Sequence, residues 1–94
     1  MTKTEFDFYE NNYYGNVIPF SLYNKYEQNA RTKVDILTLK RIKKMDDNIR
    51  RGVCAVADYL YEKNTEEVND KEIIEILIQY IDINYITRAI WNTN

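Results

Sequence analysis

Apolar side chains recur along this chain at intervals of three and four residues, the spacing of helices that bury one face. Phe6, Tyr9 and Tyr13 predict a short first helix over Thr4–Tyr14, with Thr4 as its N-cap and Asp7 completing a variant capping box. Gly15 is placed to supply a left-handed residue that ends it. Asn16-Val17-Ile18 reads as an extended link before Pro19, which suits a first helical turn. Leu22, Tyr23, Tyr26, Ala30, Val34 and Leu37 then mark the inner face of a second helix running to about Ile36. Residues Thr38 to Ile42 read as a connector with a buried anchor. A third helix is expected from Asp46 or Asp47 to Asn64, with Ile49, Val53, Val56, Ala57 and Leu60 inward and Asp47 paired to Arg51.

Thr65 to Asn69 is a polar loop, and Asp70 is placed to cap a fourth helix over Lys71–Ile81. Its polar residues, Glu72, Glu75, Gln79 and Asp82, form one thin stripe. Nearly all its other positions are apolar, so it needs cover on more than one side. Two readings remain open: a central core helix, or a helix with part of its surface in a subunit interface. The alternation from Ile81 to Tyr85 fits a short strand or an extended tail. The last residues, Ile86 to Trp91, are too apolar for an ordinary frayed end, and they either fold back or dock on a partner. The candidate protein interface is therefore Ile74, Ile78, Ile83, Tyr85, Ile86, Arg88, Ile90 and Trp91.

These elements give an all-α domain, a bundle of three to four helices with a short first helix and an extended apolar tail over roughly residues 82–94. At 94 residues the chain holds one core, formed from a 45% apolar composition. Glycine and proline are scarce, which favours long regular elements. Tyrosine occurs nine times and suits half-buried positions with one wet end.

Composition also limits the chemistry. With no histidine, the commonest general base is missing, and Cys54 lies mid-helix between Val53 and Ala55 as a packing residue. Two isolated glycines cannot build a phosphate-binding loop, and Asp46-Asp47 and Glu66-Glu67 lack the spacing of a calcium loop. Neither cofactor nor metal is expected, and the chain reads as a non-enzyme. No segment has the length of a membrane span or the form of a signal peptide, and a single cysteine fits a reducing cytoplasm.

The net charge of −2 does not suggest a general DNA-coating protein. Locally, however, Lys40, Arg41, Lys43 and Lys44, followed by Arg50 and Arg51, concentrate basic charge. That stretch fits a nucleic-acid contact, a contact with an acidic protein partner, or a solvated connector. A helix-turn-helix would need a tighter turn than Lys40 to Met45 provides.

Three groups of residues carry a family resemblance: Tyr13-Tyr14-Gly15-Asn16-Val17-Ile18-Pro19, then Val34 to Ile42, then Ile49 to Tyr61. Their order resembles the small helical head-completion, or head–tail connector, proteins of long-tailed phages and related prophages. That family has a Tyr-Gly-x-x-Ile-Pro-like entry to a long helix, a Thr-x-x-Arg-Ile-like segment, and a Val-Cys-x-Leu-Ala-Asp-x-Leu-Tyr-like helix. Tyr80-Ile81 and Thr87 to Ile90 are similar to a degenerate version of its closing segment. The resemblance implies a dodecameric ring docked on the portal protein in the virion neck, made in the host cytoplasm and without a membrane partner. It would extend the DNA channel, meet neighbouring copies of itself, and offer a platform to a downstream tail or stopper protein. Lys40, Arg41, Lys43 and Lys44 would face packaged DNA or an acidic partner. One departure is the short polar loop before the fourth helix, where the family commonly has a longer Ser/Gly-rich excursion. The competing expectation is a small helical DNA-binding or regulatory protein of a phage or mobile element.

Overall fold

A computed structural model of the chain describes residues 3–38, 42, 44–63, 65–82, 85 and 86. Among these residues the protein is all-helical: α1 (Lys3–Asn11), α2 (Phe20–Thr38), α3 (Asp47–Glu62) and α4 (Asp70–Leu77), with a single 3-10 turn at Thr65–Glu67. No strand occurs among them.

The central element is α3, with α2 and α4 packed against it and α1 against α2. Six consecutive residues of α3, Gly52 to Ala57, are buried, so cover comes from every side. Their small size is what permits this, because glycine, alanine, cysteine and valine let neighbouring helices approach closely. A Cβ on Gly52 would lie 3.3 Å from the Tyr80 Cβ and 3.5 Å from Leu77 Cδ2. The fourth helix was open to two readings, a core helix or one with part of its surface in a subunit interface. Helix α4 buries Ile73, Ile74 and Leu77 on the core side and leaves Glu72 and Glu75 exposed, as are Gln79 and Asp82 beyond its end.

The inner face of α2 is set by Tyr23, Glu27, Ala30, Val34 and Leu37. This phase turns Leu22 outward (41% exposed) and leaves Tyr26 half-buried. Both had been assigned to the inner stripe. The helix runs on through Thr38, which is fully buried because its hydroxyl donates to the Val34 carbonyl at 2.8 Å.

Helix ends follow local chemistry with three corrections. Asp46 caps α3 as expected, its carboxylate accepting the Ile49 N–H at 2.8 Å. At α4 the cap is Asn69, not Asp70: its side-chain oxygen accepts from Lys71 N at 2.8 Å and from Glu72 N. The helix proper stops at Leu77, but Gln79 N bonds Ile76 O and Tyr80 N bonds Leu77 O. That 3-10-like tightening carries the periodic pattern on towards Ile81. Helix α1 begins at Lys3, so Thr4 lies inside its first turn and is not its cap.

The end of α1 departs most from expectation. The left-handed residue is Tyr14 (φ 63°), and Gly15 has a negative φ. Glycine is needed at 15 for space, because a Cβ there would lie 2.3 Å from the Tyr9 ring. The turn is closed by Tyr13 N to Phe8 O at 3.1 Å and Gly15 N to Tyr9 O at 2.8 Å.

Beyond α4, Tyr85 N bonds the Asp82 carbonyl at 3.0 Å, and Ile83 and Asn84 of the Ile81–Tyr85 alternation lie outside the described residues. The extended tail was expected over residues 82–94. Of these only Asp82, Tyr85 and Ile86 are among the described residues, and Ile86 is buried.

Candidate functional site

Several polar side chains join the helices to one another. Tyr9, fully buried on α1, donates its hydroxyl to Asp58 Oδ1 on α3 at 2.7 Å. The same oxygen accepts the N–H groups of Val17 (3.1 Å) and Ile18 (3.0 Å), fixing the link that leads into α2. One phenol thus ties α1, the Val17–Ile18 link and α3 together. Burial first of all pushes Tyr9 up to about 12, with Asp58 adding to the rise. Burial also raises Asp58, although hydrogen bonds from Tyr9 and Tyr13 favour its ionised form.

Tyr59, the next residue of α3, does similar work towards α4. Its hydroxyl donates to Glu72 at 2.5 Å and accepts the Asn69 N–H at 3.0 Å, holding the capping residue of α4. Around Tyr9, Phe6, Tyr13 and Tyr23 form an aromatic cluster, and Phe20 stacks edge-on against Phe6 at 5.1 Å.

Buried Glu27 is balanced by Arg31 one turn on, and Arg31 reaches Glu5 of α1 at 2.8 Å. This triad went unseen in the sequence. The signal was available, since Glu27 falls at the inward position between Tyr23 and Ala30. Cys54 is buried with its sulfur 3.5 Å from the Tyr23 hydroxyl, and burial pushes its thiol up to about 11. It packs within the core cluster.

The predicted interface residues divide. Ile74 (2% exposed) and Ile86 (5%) belong to the chain's own core, so neither offers free surface here. Ile78 and Tyr85 lie at the surface, each 37% exposed. Ile83, Arg88, Ile90 and Trp91 lie outside the described residues, as do Lys40, Arg41 and Lys43 of the basic stretch. Lys44 is exposed. Further along, Arg50 sits over the Phe8 ring at 5.6 Å and Arg51 donates to Asn48 at 3.1 Å, not to Asp47. Both therefore make contacts within the chain.

Other apolar side chains stand out at the surface: Tyr14 (81% exposed), Phe20 (55%) and Ile36 (54%). Among the described residues no helix is long and apolar enough to cross a membrane, and no group of acidic or cysteine side chains is arranged to hold a metal ion. An open groove of about 420 Å³ runs between α2, the end of α3 and the start of α4, lined by Asn29, Lys33, Leu60, Lys63, Val68 and Asp70.

No family model, no curated protein and no solved structure matches this chain. The functional reading therefore rests on the residues themselves.

Proposed function

We propose that this protein is a structural adaptor of a tailed-phage head–tail junction, docking as a ring of copies on the portal and presenting a platform to a tail or stopper protein. The observation that carries the reading is the direction of its chemistry. Tyr9, Asp58, Tyr59, Glu27 and Arg31 face one another and join helices, while Tyr14, Phe20, Leu22, Ile36, Ile78 and Tyr85 present apolar surface outward. Polar groups committed internally and apolar anchors left outside suit a protein that works by assembly.

The resemblance adds the particular assembly. Its three segments coincide with the parts that set this architecture: the Tyr13–Pro19 entry held by Tyr9, the end of α2, and the buried stretch of α3. The ring, the portal and the virion neck follow from that resemblance.

Mixing the purified chain with assembled portal of the same element and separating by size tests the proposal. Co-elution at moderate salt supports it. Failure to co-elute, with tight and steeply salt-dependent binding to duplex DNA instead, would replace it with the regulatory reading.

A further inference from the structure

Tyr14 stands in the left-handed region, at φ 63°, a conformation that glycine or asparagine adopts readily and a bulky tyrosine does not. It belongs to the turn that folds α1 back onto the rest of the chain, and that turn lies at the surface, with Asn12, Tyr14 and Asn16 exposed. An extended backbone at Tyr14 would relieve the disfavoured conformation. It would also redirect the chain, so that α1 could no longer reach its own seat.

That seat is built by residues that follow the turn. Tyr9 donates to Asp58 of α3 and accepts from Val17 and Ile18, Glu5 pairs with Arg31 of α2, and Arg50 of α3 lies over the Phe8 ring. The Tyr9 ring also packs on Tyr23 of α2, with 4.6 Å between centroids. Each of these contacts joins a residue before Tyr14 to one after it. An α1 helix supplied by another copy can therefore make all of them unchanged. The bond that closes the turn, Gly15 N to Tyr9 O at 2.8 Å, is the one that belongs to the folded-back path. Because the packed surfaces are the same either way, the balance rests on the hinge and on concentration. A short hinge held in a disfavoured conformation tips that balance towards exchange.

We propose that two copies of this chain exchange α1 reciprocally, each seating its first helix on α2 and α3 of the other, with Tyr14 extended at the crossing. The exchange is isologous and closes with two copies, and it does not depend on the adaptor reading.

Analytical ultracentrifugation and isotope-filtered NMR of protein refolded from urea at about 1 mM test this. Wild type should contain dimer at that concentration. When labelled and unlabelled chains are refolded together in equal amounts, NOEs should run from the Tyr9 ring of one chain to the Tyr23 ring of the other. Tyr14→Gly removes the penalty, about tenfold per hinge, so a dimer with two hinges should dissociate about a hundredfold more readily. Its melting temperature at low concentration should equal or exceed that of wild type, which shows that the variant folds. Tyr14→Val, whose β-branch disfavours the left-handed region further, should shift the balance towards dimer. A wild type that stays monomeric, a dimer without Tyr9–Tyr23 NOEs between chains, or a Tyr14→Gly dimer as tight as that of wild type would each overturn the exchange.

Discussion

Replacing Tyr9 with phenylalanine isolates the hydroxyl that joins three parts of the fold. The ring keeps its contacts with Tyr23 (4.6 Å between centroids), Phe6 and Tyr13, and with the space left by Gly15. Only the oxygen is lost. Asp58, half-buried, would then lose a 2.7 Å donor, a bond to a charged acceptor worth about 1.5–3 kcal/mol. The Ile18 N–H sits in a residue only 2% exposed, and an unpaired buried donor costs about 1–3 kcal/mol. Val17 is half-buried and its amide can find water, so it adds little. The expected loss is about 3–5 kcal/mol, a large share of the stability of a small domain. Urea denaturation followed by circular dichroism would register this as a fall in midpoint of roughly 2–4 M, with the slope unchanged. A loss below about 1 kcal/mol would refute the view of this hydroxyl as the joint between α1, the Val17–Ile18 link and α3.

Three further outcomes follow from the same geometry. Burial raises Asp58 above its unfolded value, so its contribution to stability is present at low pH and is lost as pH rises through the folded value. The stability of wild type relative to Asp58→Asn should therefore decline as pH rises from the ordinary carboxylate range through the raised folded value, and a difference growing with pH would contradict this. Cys54, pushed up to about 11, should resist a thiol-specific disulfide reagent at pH 8 and react at the rate of global opening. Fast labelling without denaturant would show the thiol to be accessible. Gly15→Ala drives a Cβ into the held Tyr9 ring and should cost about 2–3 kcal/mol, whereas Gly52→Ala meets Tyr80 at 3.3 Å and should stay within about 1 kcal/mol of wild type because alanine favours the helix. Equal losses in the two alanine variants would show that the Tyr9 ring can move aside.

Helix number, order and approximate length were legible because the three-and-four spacing of apolar residues is a local property. Asp46 was found as a cap for the same reason: its partner is three residues away. Errors arose where a residue's role depends on something distant. Glu27 breaks the apolar pattern of α2, and its burial makes sense only with Arg31 and Glu5 beside it. Gly15 looked like a turn residue, whereas its need for space comes from a ring six positions earlier. Ile74 looked available for an interface until the close approach of α4 to Gly52 placed it in the core. Of the candidate interface, Ile78 and Tyr85 stand at the surface, and Tyr14 and Phe20 join them unannounced. Exposure at those two follows from the chain path between α1 and α2, which periodicity does not encode.

Attachment to the portal is the claim on which the functional account turns, and the mass of the complex tests it directly. Native mass spectrometry of assembled portal incubated with an excess of this chain should show one discrete species, heavier by a fixed whole number of copies matching the portal's symmetry. A portal mass that does not change, under conditions where the added chain is folded, would contradict the adaptor account.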